Sequence, residues 1–167
     1  SYNFIDNNNR LLTPNLWYDY VWDFVNGYAT VKIDNKLNLL KKDGSLVSQN
    51  KWFDGIRSRN KCGFFVVYDN ELYNFIDTSG NILSKTWFKN AEAFIEATEY
   101  FPYTVARVER EDYYMNLLLI NGEFMFPVWI TNYYYDDEND TFRLVKDHRY
   151  NIFTQEYGLL SNEEKEN

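Results

Sequence analysis

The chain has 167 residues, a formal net charge of −8 and an aromatic content of 20%. The negative charge disfavours direct binding to the phosphate backbone of nucleic acids, and the single cysteine, Cys62, excludes an intramolecular disulfide. A chain of this length buries about two thirds of its unfolded surface. We therefore predict a single domain over residues 1–160, followed by a polar tail over residues 161–167.

An asparagine returns five times along the chain in similar apolar surroundings. The five segments are Tyr2-Asn3-Phe4-Ile5, Leu37-Asn38-Leu39-Leu40, Tyr73-Asn74-Phe75-Ile76, Met115-Asn116-Leu117-Leu118 and Tyr150-Asn151-Ile152-Phe153. The asparagines are separated by 35, 36, 42 and 35 residues, and a period of this size indicates a repeat array. The predicted copies span residues 2–35, 36–71, 72–112 and 113–148, with a partial copy at 149–160.

Each copy has the same order of predicted elements. A turn follows the asparagine, and the four turns are Asn7-Asn8-Asn9, Asp43-Gly44, Ser79-Gly80 and Asn121-Gly122. These residues tolerate the positive φ angles of tight hairpin turns, so each copy is predicted to open with a β-hairpin. A third strand is predicted from β-branched and aromatic composition at residues 28–33, 64–68, 103–108 and 142–146.

A tryptophan follows each turn, at Trp17, Trp52, Trp87 and Trp129. Because these four rings share one position in the repeat, we expect them to form the core between copies, with Trp52 and Trp87 of the interior copies mostly buried. The recurring asparagines have two interpretations. Their amides either bond to backbone groups and set the register of the strands, which we favour, or line a groove for a ligand.

The third interval is longer than the others, and its extra residues follow Trp87. The apolar positions 88, 91, 94, 95 and 98 fit a helical period, and Asn90 is a suitable N-terminal cap. This pattern predicts a short inserted helix. The predicted fold is therefore mostly β, an array of four to five three-stranded antiparallel repeats with one short helical insertion.

The repeat resembles the WG-repeat family, also called KWG repeats. Tyr73-Asn74-Phe75-Ile76-Asp77-Thr78-Ser79-Gly80 is similar to the first half of the family motif, and Phe24-Val25-Asn26-Gly27-Tyr28-Ala29-Thr30-Val31 to the second half. The Trp-Gly dipeptide of the family is replaced in every copy by Tyr-Asn, Leu-Asn or Met-Asn. The resemblance implies a β-rich repeat scaffold without shared catalytic residues.

Few residues offer catalytic or metal-binding chemistry. His148 is the only histidine, and the sequence has no glycine-rich phosphate loop and no pair of cysteines at metal spacing. The acidic run from Asp136 to Asp140 has Thr141 where a calcium-binding EF-hand loop needs glycine. We therefore expect a non-enzymatic protein with no cofactor and no metal, and an acidic hairpin turn at this run.

Charge is unevenly distributed, since residues 1–70 carry a balance of +2 and residues 71–167 a balance of −10. We expect a protein partner with a basic surface to bind the acidic half, around the insertion and the acidic run. Trp22, the one tryptophan outside the repeat position, is an additional candidate contact. The predicted partner-binding residues are Trp22, Glu92, Glu96, Glu99, Asp136, Asp137, Glu138 and Asp140.

The expected function is a non-enzymatic protein-binding repeat scaffold or inhibitor. A carbohydrate-binding module with exposed aromatic rings is the first alternative, and an acidic decoy that imitates DNA is the second. A row of separated rings would favour the glycan, and a contiguous apolar patch would favour a protein.

The sequence shows neither a signal peptide nor a membrane-spanning segment, so we expect no membrane partner and a cytoplasmic location, with virion and secreted forms as alternatives. The abundance of Asn, Lys and Tyr is typical of AT-rich genomes, such as those of many phages, and suggests a phage-encoded protein.

Overall fold

The computed structural model describes residues 1–57 and 59–160, together with the backbone of residues 165–166. The protein is mostly β, with 45% of residues in strands and no helix in the described part of the chain. The chain divides into two compact units, Ser1–Trp87 and Phe88–Asn167. The predicted β-repeat architecture is confirmed, whereas the prediction of one continuous domain stays a prediction.

Unit 1 contains two three-stranded antiparallel sheets whose strands follow chain order. The first consists of β1 (Tyr20–Val21), β2 (Tyr28–Ile33) and β3 (Lys36–Lys41). The second consists of β4 (Gly55–Ile56), β5 (Phe64–Asp69) and β6 (Leu72–Asp77). In each sheet a two-residue strand lies at one edge, and the asparagine strand lies at the other.

Unit 2 repeats this arrangement with a larger final sheet. Its first sheet consists of β7 (Asn90–Ala91), β8 (Val105–Glu109) and β9 (Met115–Leu119). Its second contains β10 (Asn132–Asp136), β11 (Thr141–Lys146), β12 (Arg149–Thr154) and β13 (Gly158–Leu159) in order, and β14 (Lys165–Glu166) also pairs with β12. β13 and β14 pair with opposite ends of β12, so the last asparagine strand is covered at both ends.

The sheets are out of phase with the copies predicted from the sequence. The central strand of a sheet joins its asparagine strand through a tight two-residue turn in three of the four sheets, at Asp34-Asn35, Asn70-Glu71 and Asp147-His148. Both residues of each turn have positive φ, between 47° and 68°, as a type I′ turn requires. The predicted boundaries at residues 35/36 and 148/149 therefore fall within or beside hairpins. The structural unit is the sheet. The first three sheets end with their asparagine strands, whereas β13 and β14 follow the asparagine strand of the fourth sheet.

The predicted helix after Trp87 is wrong. Asn90–Ala91 forms β7, which pairs with β8, and Ile95 makes an isolated bridge with Val105. Ala91 and Phe94 are buried, although their spacing also fits a helix. Pairing with β8 satisfies the backbone and buries these side chains together, and this tertiary pairing overrides the helical pattern of a short segment.

The side chain of the recurring asparagine forms hydrogen bonds to the backbone of the loop that follows it. The Nδ2 group of Asn38 donates to Ser48 O at 2.7 Å, and its Oδ1 accepts from the N–H groups of Leu39 and Ser48. Asn74 makes the same bonds with Ser84 and Phe75, and Asn116 with Phe126 and Leu117. These amides bond to backbone rather than lining a groove, in agreement with the register interpretation.

The fully buried aromatic position lies one residue after the tryptophan. Phe53 and Phe88 are fully buried, whereas Trp52 and Trp87 are partly buried and Trp17 is 50% exposed. The expectation of mostly buried rings is therefore confirmed for Trp52 and Trp87 of the interior copies, although neither is fully buried, and it fails for Trp17. The residue after the tryptophan pairs with the strand that contains the preceding asparagine, as Phe53 pairs with Leu37. Because side chains alternate along an extended chain, the tryptophan then points outward.

The tryptophans nevertheless pack on the neighbouring sheet. Trp52 contacts the core of the first sheet, a cluster that includes Tyr18, Val31 and Leu40. Trp87 contacts the core of the second sheet, which includes Phe53 and Phe65. Each of these partly buried rings thus lies between successive copies of unit 1.

Glycine in the turn allows two copies to approach closely. Gly80 has a φ of 83°, and a Cβ atom there would overlap Val47 O and lie 2.7 Å from Ser48 Cα. Gly44 has the same relation to the preceding copy, with a Cβ position 2.5 Å from Leu12 O. The turn of one copy therefore rests on the loop backbone of the copy before it.

We predict that Gly80→Ala lowers the free energy of unfolding by about 2–5 kcal/mol. The added Cβ is strained in the left-handed backbone conformation, and it also overlaps the backbone of the preceding loop. Gly63→Ala is the matched control: Gly63 has a φ of 87° with no atom within 4 Å of the added Cβ, so only the strain of about 1–2 kcal/mol applies. Urea unfolding of both variants measures the difference. Equal losses would contradict the proposed packing role of Gly80.

We also predict that Phe53→Ala destabilises the protein more than Trp52→Ala does. Truncation of the fully buried Phe53 ring is expected to cost about 3–5 kcal/mol, and truncation of the half-buried Trp52 ring about 1–3 kcal/mol. Denaturant unfolding of the two single variants gives the comparison. A larger loss for Trp52→Ala would show that the tryptophan position carries the core.

Candidate functional site

The predicted partner-binding residues fall in both units, and all of them are exposed. Trp22 lies in unit 1, immediately after β1, whereas the seven acidic residues lie in unit 2. Three of these, Glu92, Glu96 and Glu99, belong to the segment between β7 and β8, and the other four belong to the hairpin between β10 and β11.

The acidic run forms the turn of this hairpin, as predicted. The carboxylate of Asp136 accepts hydrogen bonds from the Glu138 N–H at 3.1 Å and from Asn139 Nδ2 at 2.7 Å. The bond from Asn139 holds the pKa of the Asp136 carboxyl below its usual value. The turn is therefore ordered by its own side chains, with Asp137 and Glu138 pointing to solvent.

Asp140 fixes the end of this turn. It has a φ of 50°, and its Oδ1 accepts hydrogen bonds from Tyr103 Oη at 2.6 Å and from Tyr135 Oη at 2.8 Å. Burial, together with the bond to Asp140, raises the pKa of Tyr135 to about 12 and raises the pKa of Tyr103 as well. Two neutral tyrosines therefore hold one carboxylate, and Asp140 has a structural role rather than a free surface charge.

The inserted segment makes a second turn beside the acidic one. Thr98 and Phe101 close this turn, with Thr98 N donating to Phe101 O at 2.8 Å and Phe101 N donating to Thr98 Oγ1 at 3.0 Å. The Phe101 ring lies 5.1 Å from the Tyr135 ring. Tyr135 of β10 pairs with Phe142 of β11, next to the hairpin turn. Glu99 is therefore carried on a turn anchored beside the acidic hairpin.

We name four exposed carboxylates of these two turns the acidic edge: Glu99, Asp136, Asp137 and Glu138. Among the described residues, none of the four forms a salt bridge. The acidic edge thus carries four carboxylates without a salt-bridged cation, on two turns joined by an aromatic contact.

The structure does not bring all predicted acidic residues to this edge. Glu92 forms an ion pair with Arg107 at 3.4 Å, and Arg107 also binds Glu109 at 2.7 Å. Glu92 is therefore partly neutralised beside β8. Glu96 is exposed on the extended segment that leads to the Thr98 turn, and the contacts of its neighbours with residues 104 and 105 do not place it at the hairpin.

Trp22 belongs to an exposed aromatic patch in unit 1. The Tyr20 ring lies 4.6 Å from the Trp22 ring and 5.8 Å from the Tyr2 ring, and the three side chains are 44–52% exposed. Beside them is an open cleft of about 350 Å³ that Tyr20 and Trp22 share with Asp19, Lys32 and Asn35.

The aromatic character of this patch is particular to the first sheet. Tyr20 pairs with β2 at the position that Gly55 occupies in the second sheet, and that Asn90 and Asn132 occupy in unit 2. Packing of the repeat therefore does not require an aromatic residue there.

His148 and the possible metal ligands are the remaining candidates for chemistry. His148 is exposed at the turn between β11 and β12, beside Asp147, whose carboxylate accepts a bond from Tyr114 Oη. Within the described ranges, no group of three or more His, Cys, Asp or Glu side chains is placed to hold a metal ion. The same described ranges contain no helix that could span a membrane.

Sequence reasoning missed the aromatic residues that build these surfaces. Phe101, Tyr103 and Tyr135 anchor the acidic edge, but nothing in their spacing along the chain indicates that they meet. Tyr20 was detectable in principle, because Tyr20 and Trp22 are two residues apart on an extended segment and such residues share a face.

Comparisons with known proteins show similarity to solved structures only. No protein-family model and no curated protein matches the chain. One similar structure is that of KlHsv2 with loop 6CD replaced by a Gly-Ser linker, with 11% identity and a TM-score of 0.37 over 92% of this chain and 56% of that chain. Another is a protein of unknown function from Bacteroides caccae, with 11% identity and a TM-score of 0.30 over 92% of this chain and 65% of that chain. The chain thus spans less than two thirds of the length of either structure.

We predict that Asp140→Asn lowers the pKa of Tyr103 and Tyr135, because it removes the negative charge but keeps a side chain that tolerates positive φ. A tyrosine whose folded pKa lies above its unfolded value of 10 stabilises the fold below pH 10, and this stabilisation is lost as the pH rises towards 12. Ultraviolet titration of tyrosinate should therefore begin at lower pH in the variant. Glu138→Gln is the control, and identical curves for wild type and Asp140→Asn would contradict the assigned bonds.

Proposed function

We propose that this protein is a non-enzymatic repeat module that binds a protein partner with a basic surface through the acidic edge. The observation that carries the proposal is the contact between Phe101 and Tyr135, which holds the inserted turn against the acidic hairpin. Two segments far apart in sequence thereby contribute charge to one surface.

Order in the acidic edge supports a binding role. The turn bonds of Asp136, the two tyrosine bonds to Asp140 and the Thr98 turn fix the backbone of both segments. A surface that is already ordered loses little conformational entropy on binding, and more of the interaction energy then contributes to affinity. Loops without such bonds would lose part of that energy on becoming ordered.

Charge supports the choice of partner. The four carboxylates of the acidic edge lie in the half of the chain that carries a balance of −10. Uncompensated charge of one sign attracts a partner of the opposite sign over about a Debye length, roughly 8–10 Å at physiological salt, and raises the rate of association. The resemblance to WG repeats, which implies a scaffold without shared catalytic residues, agrees with this function.

The two alternative functions receive less support. The rings of Tyr2, Tyr20 and Trp22 meet edge to face, at 61° and 62°, and so form a contiguous patch instead of separate platforms for sugar rings. This patch is a further candidate contact for a protein. The carboxylates of the acidic edge belong to two turns and not to paired rows, which does not favour imitation of a DNA duplex.

We predict that neutralising the acidic edge slows association with the partner, which affinity capture from the native host would supply. Glu99→Gln, Asp137→Asn and Glu138→Gln are combined, and Asp136 and Asp140 are kept because they hold the turn. The association rate at low salt should fall roughly tenfold and lose most of its salt dependence, with little change in the free energy of unfolding.

The control has the same change in charge at exposed acidic residues outside the edge, namely Glu71→Gln, Glu111→Gln and Glu156→Gln. Surface plasmon resonance at several salt concentrations compares the two triple variants. If both variants associate at the same rate, the acidic edge is not the site. Turnover of a substrate that depends on His148 would contradict the non-enzymatic assignment itself.

A further inference from the structure

Tyr20 and Trp22 form an exposed aromatic pair on the first sheet of unit 1. Their rings lie 4.6 Å apart at an interplanar angle of 62°, and the two side chains are 48% and 44% exposed. In the described part of the chain, no Lys or Arg side chain lies over either ring. Trp and Tyr are enriched among the residues that dominate binding energy at protein interfaces.

A neighbouring copy does not cover this position of the repeat. In the second sheet of unit 1 the equivalent residue is Arg57, which donates its backbone N–H to Val66 O as Trp22 donates to Thr30 O. Arg57 is exposed although the first sheet precedes it. Tyr134 occupies the same position in the second sheet of unit 2 and is 50% exposed. The exposure of Trp22 is therefore a property of its position within the sheet.

The cleft beside the two rings is rich in hydrogen-bond donors. Tyr20 and Trp22 line it together with Asp19, Lys32 and Asn35, and its volume is about 350 Å³. The phenol O–H and the indole N–H thus lie beside an ammonium group and a side-chain amide. Among the described residues, the side chains of Tyr20, Trp22, Lys32 and Asn35 form no hydrogen bond and no ion pair.

The carboxylate of this cleft is already engaged by the protein itself. Asp19 Oδ2 accepts the backbone N–H of Asp34 at 2.9 Å, at the turn between β2 and β3. Donors therefore outnumber free acceptors in the cleft, and a matching ligand must be rich in acceptors. An ordinary extended peptide brings one N–H for each carbonyl, whereas proline brings a carbonyl without an N–H.

We propose that the aromatic cleft formed by Tyr20, Trp22, Lys32 and Asn35 binds a proline-rich segment of another protein in the polyproline II conformation. This conformation has no internal hydrogen bonds, so its carbonyls accept bonds from the donors of the cleft. The proline rings pack on the aromatic rings, and the segment is already extended, so it loses little conformational entropy on binding. The cleft lies in unit 1, and its role does not depend on the acidic edge.

A glycan fits this cleft less well. Sugar rings stack on aromatic faces that are presented flat and separately, whereas the rings of Tyr20 and Trp22 meet edge to face. Each sugar hydroxyl also brings a donor of its own into a cleft that already has more donors than free acceptors. The proline-rich segment is therefore the occupant whose chemistry complements the cleft.

The test uses blocked decaproline as the probe and a blocked Gly-Ser peptide of the same length as the matched control. Both peptides have the same number of backbone carbonyls, but only decaproline is a preformed polyproline II helix without N–H donors. Indole and amide signals of the isotope-labelled full chain are followed by NMR during titration. Decaproline should shift the Trp22 indole signal and bind roughly tenfold more tightly than the Gly-Ser peptide.

Trp22→Ala removes the larger ring and one donor, and it should weaken decaproline binding roughly tenfold, as measured on the amide signals of β1 and β2. Because the ring is exposed, the spectrum away from the cleft should stay unchanged. Tyr134→Ala is the matched control, since Tyr134 is similarly exposed at the equivalent position. The Arg143 guanidinium covers the Tyr134 ring at 4.6 Å, so this variant should bind decaproline as the wild type does.

Equal binding of the two peptides, or no binding of either at about millimolar concentration, would overturn the proposal. Equal losses of affinity in Trp22→Ala and Tyr134→Ala would overturn it as well, because any exposed ring would then attract the probe. Titration with cellohexaose tests the other occupant: tighter binding of this oligosaccharide than of decaproline, lost in Trp22→Ala, would assign the cleft to a glycan instead.

Discussion

The buried asparagine amide is the interaction on which the rest of this structure depends. A primary amide offers two donors and one acceptor oxygen, and the oxygen of Asn74 accepts two N–H bonds while its nitrogen donates to carbonyls 10 and 12 residues further on. A buried polar group of this kind is stable only when fully bonded. The loop after each asparagine strand therefore has one conformation, and this conformation sets where the next sheet begins.

Close packing of small sheets follows from that fixed loop. A three-stranded sheet has too little area for a core of its own, so each copy must be covered by its neighbour. Within unit 1, the glycine turn rests on the preceding loop, and the half-buried tryptophan covers the preceding core. Such packing uses the side chains on the sheet faces and the loops. It does not constrain which residues occupy the strand edges and hairpin tips.

The proposed acidic contact uses these unconstrained positions. The acidic edge acts at a distance through charge, which favours encounter with a basic surface and depends on salt.

The sequence by itself determined the period, the β class, the turns at glycine and the backbone role of the asparagines, because these depend on local geometry and on alternation along a strand. Only the tertiary structure decided the conformation of residues 88–99, where pairing of β7 with β8 overrides a helical pattern. It also decided that Phe53 rather than Trp52 is fully buried, since one residue of offset inverts the face of a strand. The meeting of Tyr103, Tyr135 and Asp140 was likewise invisible in the sequence, because contacts between distant segments depend on how the sheets pack and leave no periodic pattern in the chain.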